Sequence, residues 1–318
     1  MEGFLDALAN LPRPSYRPRR DARGVRFQGP GLGRTERLLE LVGSPERGMR
    51  IVHVAGTSGK GSVTLMLAEA LRAAGRRVGA FFSPHLTSFV ERFWAEGRLV
   101  VPGPDAFRAF CEACRQMALE PVGTPSYFEG TLALALLTFR ERGCQDALLE
   151  AGLGGSYDAT AAVRPAALDV ITTVGLDHTD ILGDTAREVA RDKTGIITRG
   201  GEVLFGWGPK EAQAEVRKAV QERGARLRPR PEMELQGVEF GGTRLAITFE
   251  DGKRWGELFT PMVGEHQAKN AALAAAAARL LGVGEDQFRQ GLARARLPGR
   301  VEVLAGSPNA GTPSGGPL

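Results

Sequence analysis

A short segment rich in glycine and hydroxyl groups, Gly56-Thr57-Ser58-Gly59-Lys60-Gly61-Ser62, lies between a β-branched apolar run and an amphipathic helical pattern. In such a loop the backbone N–H groups can converge on phosphate oxygens, and the helix N-terminus adds partial positive charge. Lys60 can neutralise the outer phosphates. The strict P-loop pattern is not met, because Val54 replaces its first glycine and Gly61 separates Lys60 from Ser62. We predict a phosphate-binding loop; the alternative is a glycine-rich turn that serves only tight packing.

Two polar residues follow apolar runs that are typical of buried strands. Ser83, in Ser83-Pro84-His85, comes directly after one run, and Glu150 ends the next, Leu148-Leu149-Glu150. Parallel strands end at one edge of a sheet, so both side chains should lie near the phosphate loop. A carboxylate at the end of an apolar strand is costly to desolvate unless a cation such as Mg²⁺ faces it. The alternatives are a Ser-Pro turn and a solvent-exposed glutamate.

The four histidines, His53, His85, His178 and His266, all lie in or beside a polar cluster at a strand end or helix start. His178 belongs to Gly175-Leu176-Asp177-His178-Thr179, which again follows a predicted strand. This concentration suggests a functional site. Histidines that are satisfied in the core or at helix caps would fit the same pattern, so both interpretations stay open.

Alternation of apolar runs with helical patterns predicts an α/β fold with a doubly wound, mainly parallel sheet. Between Glu232 and Pro261 the pattern changes to alternating residues with Gly-Gly and Asp-Gly turns, which predicts a small antiparallel appendage. The predicted strands are Arg50–Val54, Val78–Phe82, Ala147–Glu150, Leu168–Val174 and Val203–Phe205. The predicted helices are Arg34–Leu41, Lys60–Ala74, Pro104–Ala118, Tyr127–Arg142, Asp184–Gly195, Lys210–Glu222, His266–Leu281 and Glu285–Ala295.

Composition favours a cytoplasmic enzyme that acts on small molecules. The 318 residues carry a net charge of only +4, which suits an anionic small substrate better than nucleic acid. No apolar stretch is long enough to span a bilayer, and Met1 to Arg20 lacks a signal-peptide core. Cys111 and Cys114 are expected to be buried helical thiols, because no second pair completes a zinc site. The arginines between Arg13 and Arg26 form either a solvated arm or a phosphate-facing one.

Together these clusters resemble the folylpolyglutamate synthase and dihydrofolate synthase family of Mur-type ligases. The order and approximate spacing of the family motifs hold from about Gly33 to Arg300. The matching strings are His53 to Ser62, Ser83-Pro84-His85, Tyr127-Phe128-Glu129, Glu150 to Gly155 with Asp158-Ala159-Thr160, Gly175 to Ile197, Gly264 to Gln267 with Asn270, and Pro298-Gly299-Arg300.

The resemblance implies a ligase that uses ATP to phosphorylate a folate-type carboxylate and then joins L-glutamate to it through an amide. It implies that Gly56 to Ser62 bind the ATP phosphates, with Asn270 and Arg300 as further nucleotide contacts. Two Mg²⁺ ions are expected, one held by Ser83 and Glu150 and the other by His178 and Lys193, which matches the lysine that the family carbamylates. Lys60, Lys193 and His178 would be the catalytic residues. A lysine at the C-terminal end of a helix, complementing the macrodipole, is the structural alternative for Lys193.

For the acid substrate, dihydropteroate or a folate, the resemblance implies a site formed by Tyr127, Phe128, Glu129 and Asp158, in a monomeric protein. It also implies a domain boundary. Residues 1–297 would form the ATP-binding and pteroate-binding domain, and residues 298–318 a hinge and a disordered tail. By this comparison the family's C-terminal glutamate-ligase domain is expected to be missing, so ligation is expected to be weak or absent. The alternatives are a non-catalytic ATP-binding remnant or partner-dependent subunit, and a peptidoglycan-precursor ligase of the Mur type.

Overall fold

The computed structural model describes residues 32–299, together with residue 3 and residues 19–20 and 26–27. The last two segments form a short antiparallel pair, β1 (Arg19–Arg20) and β2 (Arg26–Phe27). The rest of the arginine-rich arm and residues 300–318 lie outside the described residues. The predictions for Arg300, for the hinge and for the tail therefore stay predictions.

Eight strands form the central sheet. In chain order they are β3 (Arg50–Ala55), β4 (Val78–Phe81), β5 (Phe93–Ala95), β6 (Arg98–Leu99), β7 (Asp146–Glu150), β8 (Leu168–Thr173), β9 (Glu202–Trp207) and β10 (Arg226–Arg228). Their spatial order is β10-β9-β8-β3-β7-β4-β5-β6. The strands from β10 to β4 run parallel, whereas β5 and β6 are antiparallel additions at one edge. The predicted α/β class with a mainly parallel sheet is confirmed.

Helices cover both faces of this sheet. Successive strand residues point to opposite sides, so the strands present apolar side chains on both faces, and both must be buried. Val52 and Val54 of β3 lie in one apolar cluster, and Ile51 lies in another on the opposite face. The helices are α1 (Gly33–Leu41), α2 (Lys60–Ala73), α3 (Pro104–Met117), α4 (Tyr127–Glu141), α5 (Thr179–Leu182), α6 (Ala186–Lys193), α7 (Lys210–Glu222), α8 (Glu265–Leu280) and α9 (Glu285–Leu292). None of the helices in the described part of the chain combines the length and apolar character that crossing a bilayer needs.

The predicted antiparallel appendage is confirmed as a three-stranded sheet of β11 (Glu232–Glu239), β12 (Gly242–Thr248) and β13 (Arg254–Thr260). Trp255 of β13 is almost fully buried, and its ring lies 5.4 Å from Phe288 of α9 and 4.8 Å from Phe249. These contacts join the appendage to the same apolar core that α2 and α8 share.

Some local features differ from the predictions in their bounds or were not predicted. The helix predicted from Asp184 to Gly195 is α6, which begins two residues later because the Thr185 side chain caps it, and which continues from Lys193 into a 3₁₀ turn over Thr194–Ile196. The short helix α5, which precedes it, was not predicted. The β5–β6 hairpin was not predicted. Its two-residue turn, Glu96 and Gly97, has φ values of 54° and 91°, which suits a primed hairpin turn.

Buried polar side chains agree only in part with the sequence predictions. Cys114 is buried on α3, which raises the pKa of its thiol to about 12, whereas Cys111 is only half-buried.

His53 is a core histidine, because it is buried and its Nδ1 lies 2.9 Å from Asp169 Oδ1 in the neighbouring strand β8. The second Asp169 oxygen accepts a 2.7 Å hydrogen bond from the Thr198 N–H. His53 and Asp169 therefore stabilise the sheet.

Candidate active site

The predicted phosphate loop lies between the end of β3 and the start of α2, with Gly59 as the left-handed cap at φ 81°. A Cβ on Gly59 would lie 2.3 Å from Asn270 Oδ1, so close approach and backbone conformation both require glycine. The loop is fastened to β8. Thr57 N–H donates to the Thr173 carbonyl at 2.8 Å, and Ser58 N–H donates to Thr173 Oγ1 at 3.0 Å. Thr173 was not recognised in the sequence, where only its place at a strand end marks it.

A cavity of about 610 Å³ opens above this loop at the carboxyl edge of the sheet. It brings together most of the predicted nucleotide and metal residues, as expected for a doubly wound sheet. It also includes residues that were not predicted, from β9 and from the start of α8. The lining residues are Thr57 to Ser62, Ser83, Pro84, Glu150, Thr173, Trp207, His266, Gln267, Lys269 and Asn270.

Strand β7 lies between β3 and β4, which sets Glu150 between the phosphate loop and Ser83. The Ser83 N–H donates to Glu150 Oε2 at 3.0 Å, and a Cβ on Gly61 would lie 3.3 Å from that same oxygen. Glu150 is only 3% exposed. The Ser83 hydroxyl is also buried, and its Oγ has no hydrogen-bond partner. An unpaired hydroxyl oxygen beside a buried carboxylate suits a hard cation such as Mg²⁺.

Ser83→Ala tests this arrangement without removing a structural hydrogen bond of the side chain. Because Ser83 Oγ makes none, we expect unfolding free energy to stay the same or rise slightly. We expect the Mg²⁺-dependent part of ATP affinity to fall about tenfold or more, the order seen when support of a metal ligand is lost. Calorimetric titration of ATP with and without Mg²⁺ measures it.

Thr64→Val is the matched control for Ser83→Ala, because Thr64 on α2 has another buried hydroxyl without a partner. It should leave the Mg²⁺ dependence of ATP binding unchanged. Equal Mg²⁺ dependence in Ser83→Ala and the wild type would remove Ser83 from the metal site.

Lys193 ends α6 and is 2% exposed. Burial lowers the pKa of its ammonium group to about 8, and the nearby positive charge of Lys60 acts in the same direction. Asp192 and Asp177 oppose this shift. Lys193 therefore belongs to the same electrostatic environment as the phosphate loop, and a substantial fraction of it is neutral near pH 8.

The loop after β7 holds the end of α6 in place by backbone contact. A Cβ on Gly195 would lie 2.1 Å from the Ser156 Cα, so only glycine fits there. The Ser156 hydroxyl donates to the Asp192 carbonyl at 2.9 Å, and the Ser156 N–H donates to Asp192 Oδ1 at 3.3 Å. Burial raises the pKa of the Asp192 carboxyl to about 6. These contacts link the position of Lys193 to the strand that carries Glu150.

His178 is not part of this cavity. It is an exposed residue with φ 47° at the start of α5, and its Nε2 lies 3.8 Å from Asp177 Oδ1. In residues 32–299 no three His, Cys, Asp or Glu side chains gather in a group that could hold a metal ion. The cavity lining thus includes Ser83 and Glu150 of the predicted metal ligands, but neither His178 nor Lys193.

The predicted substrate residues lie at the start of α4. The half-buried Phe128 ring packs against Gly152, where a Cβ would lie 2.8 Å from the ring. The half-buried Tyr127 ring has its centroid 6.4 Å from that of His85, and the Arg92 guanidinium lies 5.3 Å from the Tyr127 centroid. Aromatic side chains therefore flank both the Ser83 loop and the loop that follows Glu150.

Glu129 and Asp158 have internal partners. Glu129 forms a capping box with Ser126 and accepts a 2.7 Å hydrogen bond from Arg34 Nε. Asp158 Oδ2 accepts from the N–H groups of Gly152 at 2.9 Å and Leu153 at 3.0 Å. Its Oδ1 accepts from the N–H and hydroxyl of Thr160. Both carboxylates thus position the loop and helix that carry the aromatic residues.

Arg92 is a site residue that the sequence did not reveal. It is 7% exposed, burial lowers its pKa, and its Nε donates to His85 Nδ1 at 2.9 Å. Since arginine only donates, His85 must accept at Nδ1, which leaves the proton of the neutral ring on Nε2. Arg92 is the last residue of a short 3₁₀ turn, and no sequence motif marks its role.

Comparison with known proteins identifies the family. A dihydrofolate synthase/folylpolyglutamate synthase of Bacillus subtilis is 34% identical over 300 residues, which cover 88% of this chain and 67% of that protein. The chain belongs to the folylpolyglutamate synthase/dihydrofolate synthase family. No family model matches it.

Further relatives support membership of the folylpolyglutamate synthase/dihydrofolate synthase family. A probable bifunctional folylpolyglutamate synthase/dihydropteroate synthase of Halobacterium salinarum is 36% identical over 288 residues, but this chain spans only 35% of its length. A solved complex of folylpolyglutamate synthase with AMPPCP and folate superposes with a TM-score of 0.80 at 30% identity, covering 95% of this chain and 73% of that one. The chain thus spans between about a third and three quarters of these relatives.

Proposed function

We propose that this chain binds Mg²⁺·ATP and transfers its γ-phosphoryl group to the carboxylate of dihydropteroate or a folate, as the activating half of amide ligation to L-glutamate. The observation that carries the proposal is the convergence in one cavity of the phosphate loop, the buried Glu150 carboxylate and the unpaired Ser83 hydroxyl. Membership of a ligase family, and the AMPPCP and folate bound by a relative, supply the nucleotide and the acid.

Lys60 is the residue best placed to bind the terminal phosphates. Its ammonium group donates to the Gly56 carbonyl at 3.1 Å across the loop, and it can exchange this weak neutral acceptor for a phosphate oxygen. The N-terminus of the 14-residue helix α2 adds partial positive charge at the same point. Thr57 and Ser58, which are fixed by Thr173, keep the loop in one shape.

Ser83 and Glu150 would hold a Mg²⁺ ion, which when bound neutralises phosphate charge during transfer. The hydrogen bond from the Ser83 N–H holds Glu150 Oε2 close to Gly61 of the loop. This pair therefore presents one charged and one neutral oxygen beside the phosphate loop, the donor types that Mg²⁺ prefers.

Phosphoryl transfer makes the carboxylate reactive, because a carboxylate oxygen by itself is a poor leaving group. A carboxylate oxygen attacks the γ-phosphorus, the bond to the β,γ-bridging oxygen breaks, and ADP leaves. The amine of L-glutamate then attacks the acyl carbon and loses a proton, and inorganic phosphate leaves. Positioning and charge neutralisation by the loop supply most of the acceleration in such reactions.

Lys193 would supply a further acidic ligand after reaction with carbon dioxide. The reaction needs the neutral amine, and burial already lowers the pKa of Lys193 to about 8. The nitrogen lone pair attacks the carbon of CO₂, and one proton leaves to solvent. The product carries a carboxylate in place of an ammonium group, which suits the buried position beside Lys60.

A trapping assay tests the proposed function. The chain should convert dihydropteroate and Mg²⁺·ATP to ADP, and added hydroxylamine should capture the acyl phosphate as a hydroxamate. Omission of dihydropteroate should lower ADP release to background. ATP binding without dihydropteroate-dependent ADP release would instead indicate a non-catalytic nucleotide-binding subunit. Turnover of a nucleotide-linked peptidoglycan precursor, and not of pteroates, would indicate the Mur-type alternative.

A further inference from the structure

We infer that Trp207 is the stacking platform for the nucleotide base and so provides most of the affinity that distinguishes ATP from a bare triphosphate. This inference rests on the proposed nucleotide site and adds a base-binding residue to it. Trp207 is the last residue of β9, is half-buried, and lines the same cavity as the phosphate loop.

The sheet register sets the distance between this indole and the phosphate loop. Trp207 pairs directly with Thr173 of β8, the residue that fastens Thr57 and Ser58. Strand β8 is the neighbour of β3, which runs into the loop. Adjacent strands lie about 4.8 Å apart, and β9 is two strands away from β3. The backbone of Trp207 is therefore about 10 Å from the point where β3 runs into the loop. A ribose and a base extending from phosphates bound at the loop span a gap of this size.

Arg230 contacts the indole ring of Trp207. Its guanidinium lies 4.9 Å from the Trp207 ring centroid, within the range of a cation–π contact, and its Nη1 donates to the carbonyl of Gly206 in the same strand. The ring also packs against the core cluster that includes α8. A ring held in this way loses little freedom when a base stacks on it, which favours binding.

Among the described residues that line the cavity, Trp207 is the only tryptophan, tyrosine or phenylalanine. Trp94 and Trp255 are 6% and 1% exposed, and neither lines the cavity. His266, Lys269 and Asn270 line the cavity from α8 and can supply polar contacts to the ribose or the base edge. Stacking accepts every base, because each has a π-face. Trp207 should therefore increase affinity for ATP and GTP alike, and leave the choice between them to the polar side chains.

The test compares Mg²⁺·ATP with Mg²⁺·tripolyphosphate, which has phosphates but no base, by calorimetric titration of the full chain. Trp207→Ala should raise the Kd for ATP by about 5- to 150-fold, the range that stacking on one base contributes. The Kd for tripolyphosphate should not change. Trp207→Phe should restore most of the ATP affinity, because a smaller ring still stacks. ADP should change the tryptophan fluorescence of the wild type, and that change should be absent in Trp207→Phe.

Three results would overturn the inference in distinguishable ways. If Trp207→Ala binds ATP as the wild type does, the base lies elsewhere while the proposed function stands. If ATP and tripolyphosphate weaken together, Trp207 supports the phosphate loop instead of the base. If the wild type binds neither ligand, the proposed nucleotide site itself fails and this inference fails with it. Should Trp207→Ala not fold, the fluorescence comparison with Trp207→Phe decides the matter.

Discussion

Replacing Lys193 by methionine should raise the unfolding free energy at pH 7 by about 3 kcal/mol, because the folded chain buries an ammonium group whose pKa is lowered from 10.5 to about 8. Methionine keeps a similar length and shape without the charge. Burial is the main cause of the pKa shift, and the positive charge of Lys60 adds to it. Urea unfolding of the two proteins at a series of pH values measures the difference.

The stability difference between the wild type and Lys193→Met should depend on pH, because the protonation of Lys193 differs between the folded and unfolded states. Below pH 8 Lys193 is protonated in both states, and the folded state bears the full cost of the buried charge. Between about pH 8 and 10.5 the unfolded state binds more protons than the folded state, so wild-type stability rises with pH relative to the methionine variant. The difference should therefore shrink across this window. The raised pKa of Asp192, about 6, acts at lower pH.

Lys218→Met is the control for Lys193→Met, because Lys218 is an exposed lysine on α7 whose side chain is 60% accessible. It should change stability little at every pH, since surface ion pairs contribute little. A constant stability difference between Lys193→Met and the wild type from pH 7 to 10 would show that Lys193 is not held as a buried ammonium group.

Glu150→Gln should lower dihydropteroate-dependent ADP release about 100- to 1000-fold, the usual loss when one electrostatic group at a phosphoryl or acyl centre is removed. Glutamine keeps the size and an acceptor oxygen for the Ser83 N–H, so the backbone contact at 3.0 Å can persist. The lost property is the negative charge, which the proposed Mg²⁺ site needs. The apparent Mg²⁺ affinity in the presence of ATP should fall as well.

Glu69→Gln separates loss of the metal site from loss of a buried carboxylate. Glu69 lies on α2, is 5% exposed, and accepts a 2.9 Å hydrogen bond from Arg72 Nε, away from the lining of the cavity. It should keep ADP release near the wild-type rate. Full activity of Glu150→Gln, or an equal loss in Glu69→Gln, would contradict the role given to Glu150.

Local sequence patterns predicted the glycine-rich loop between β3 and α2 and most of the parallel sheet. The loop was predictable because Gly59, Lys60 and the helix start are neighbours in sequence, and their chemistry acts within one turn. Glu150 was predictable because a carboxylate that ends an apolar strand is unusual. The order of the strands was not predicted. The position of β7 between β3 and β4 depends on contacts between residues far apart in sequence, so local sequence patterns cannot predict it.

Two kinds of feature could not be predicted from the sequence: very short strands, and side chains whose residue type suits either substrate binding or a structural hydrogen bond. Strands β5 and β6, with three and two residues, are too short to show a period, and only Glu96-Gly97 marks their turn. Carboxylates such as Glu129 and Asp158 can bind a substrate or cap a backbone segment, and only the contacts show that they cap. Trp207 lies beyond the predicted strand, which ended at Phe205, and only the observed register sets it opposite Thr173.

The most direct test of the central claim follows an oxygen atom from acid to phosphate. Dihydropteroate labelled with ¹⁸O in its carboxylate is incubated with the chain, Mg²⁺·ATP and hydroxylamine, and the released phosphate is analysed by mass spectrometry. If the chain activates the acid as an acyl phosphate, each hydroxamate formed should release one phosphate that carries one ¹⁸O atom from the acid. Unlabelled phosphate would mean that water, and not the carboxylate, attacks ATP, and would contradict the account.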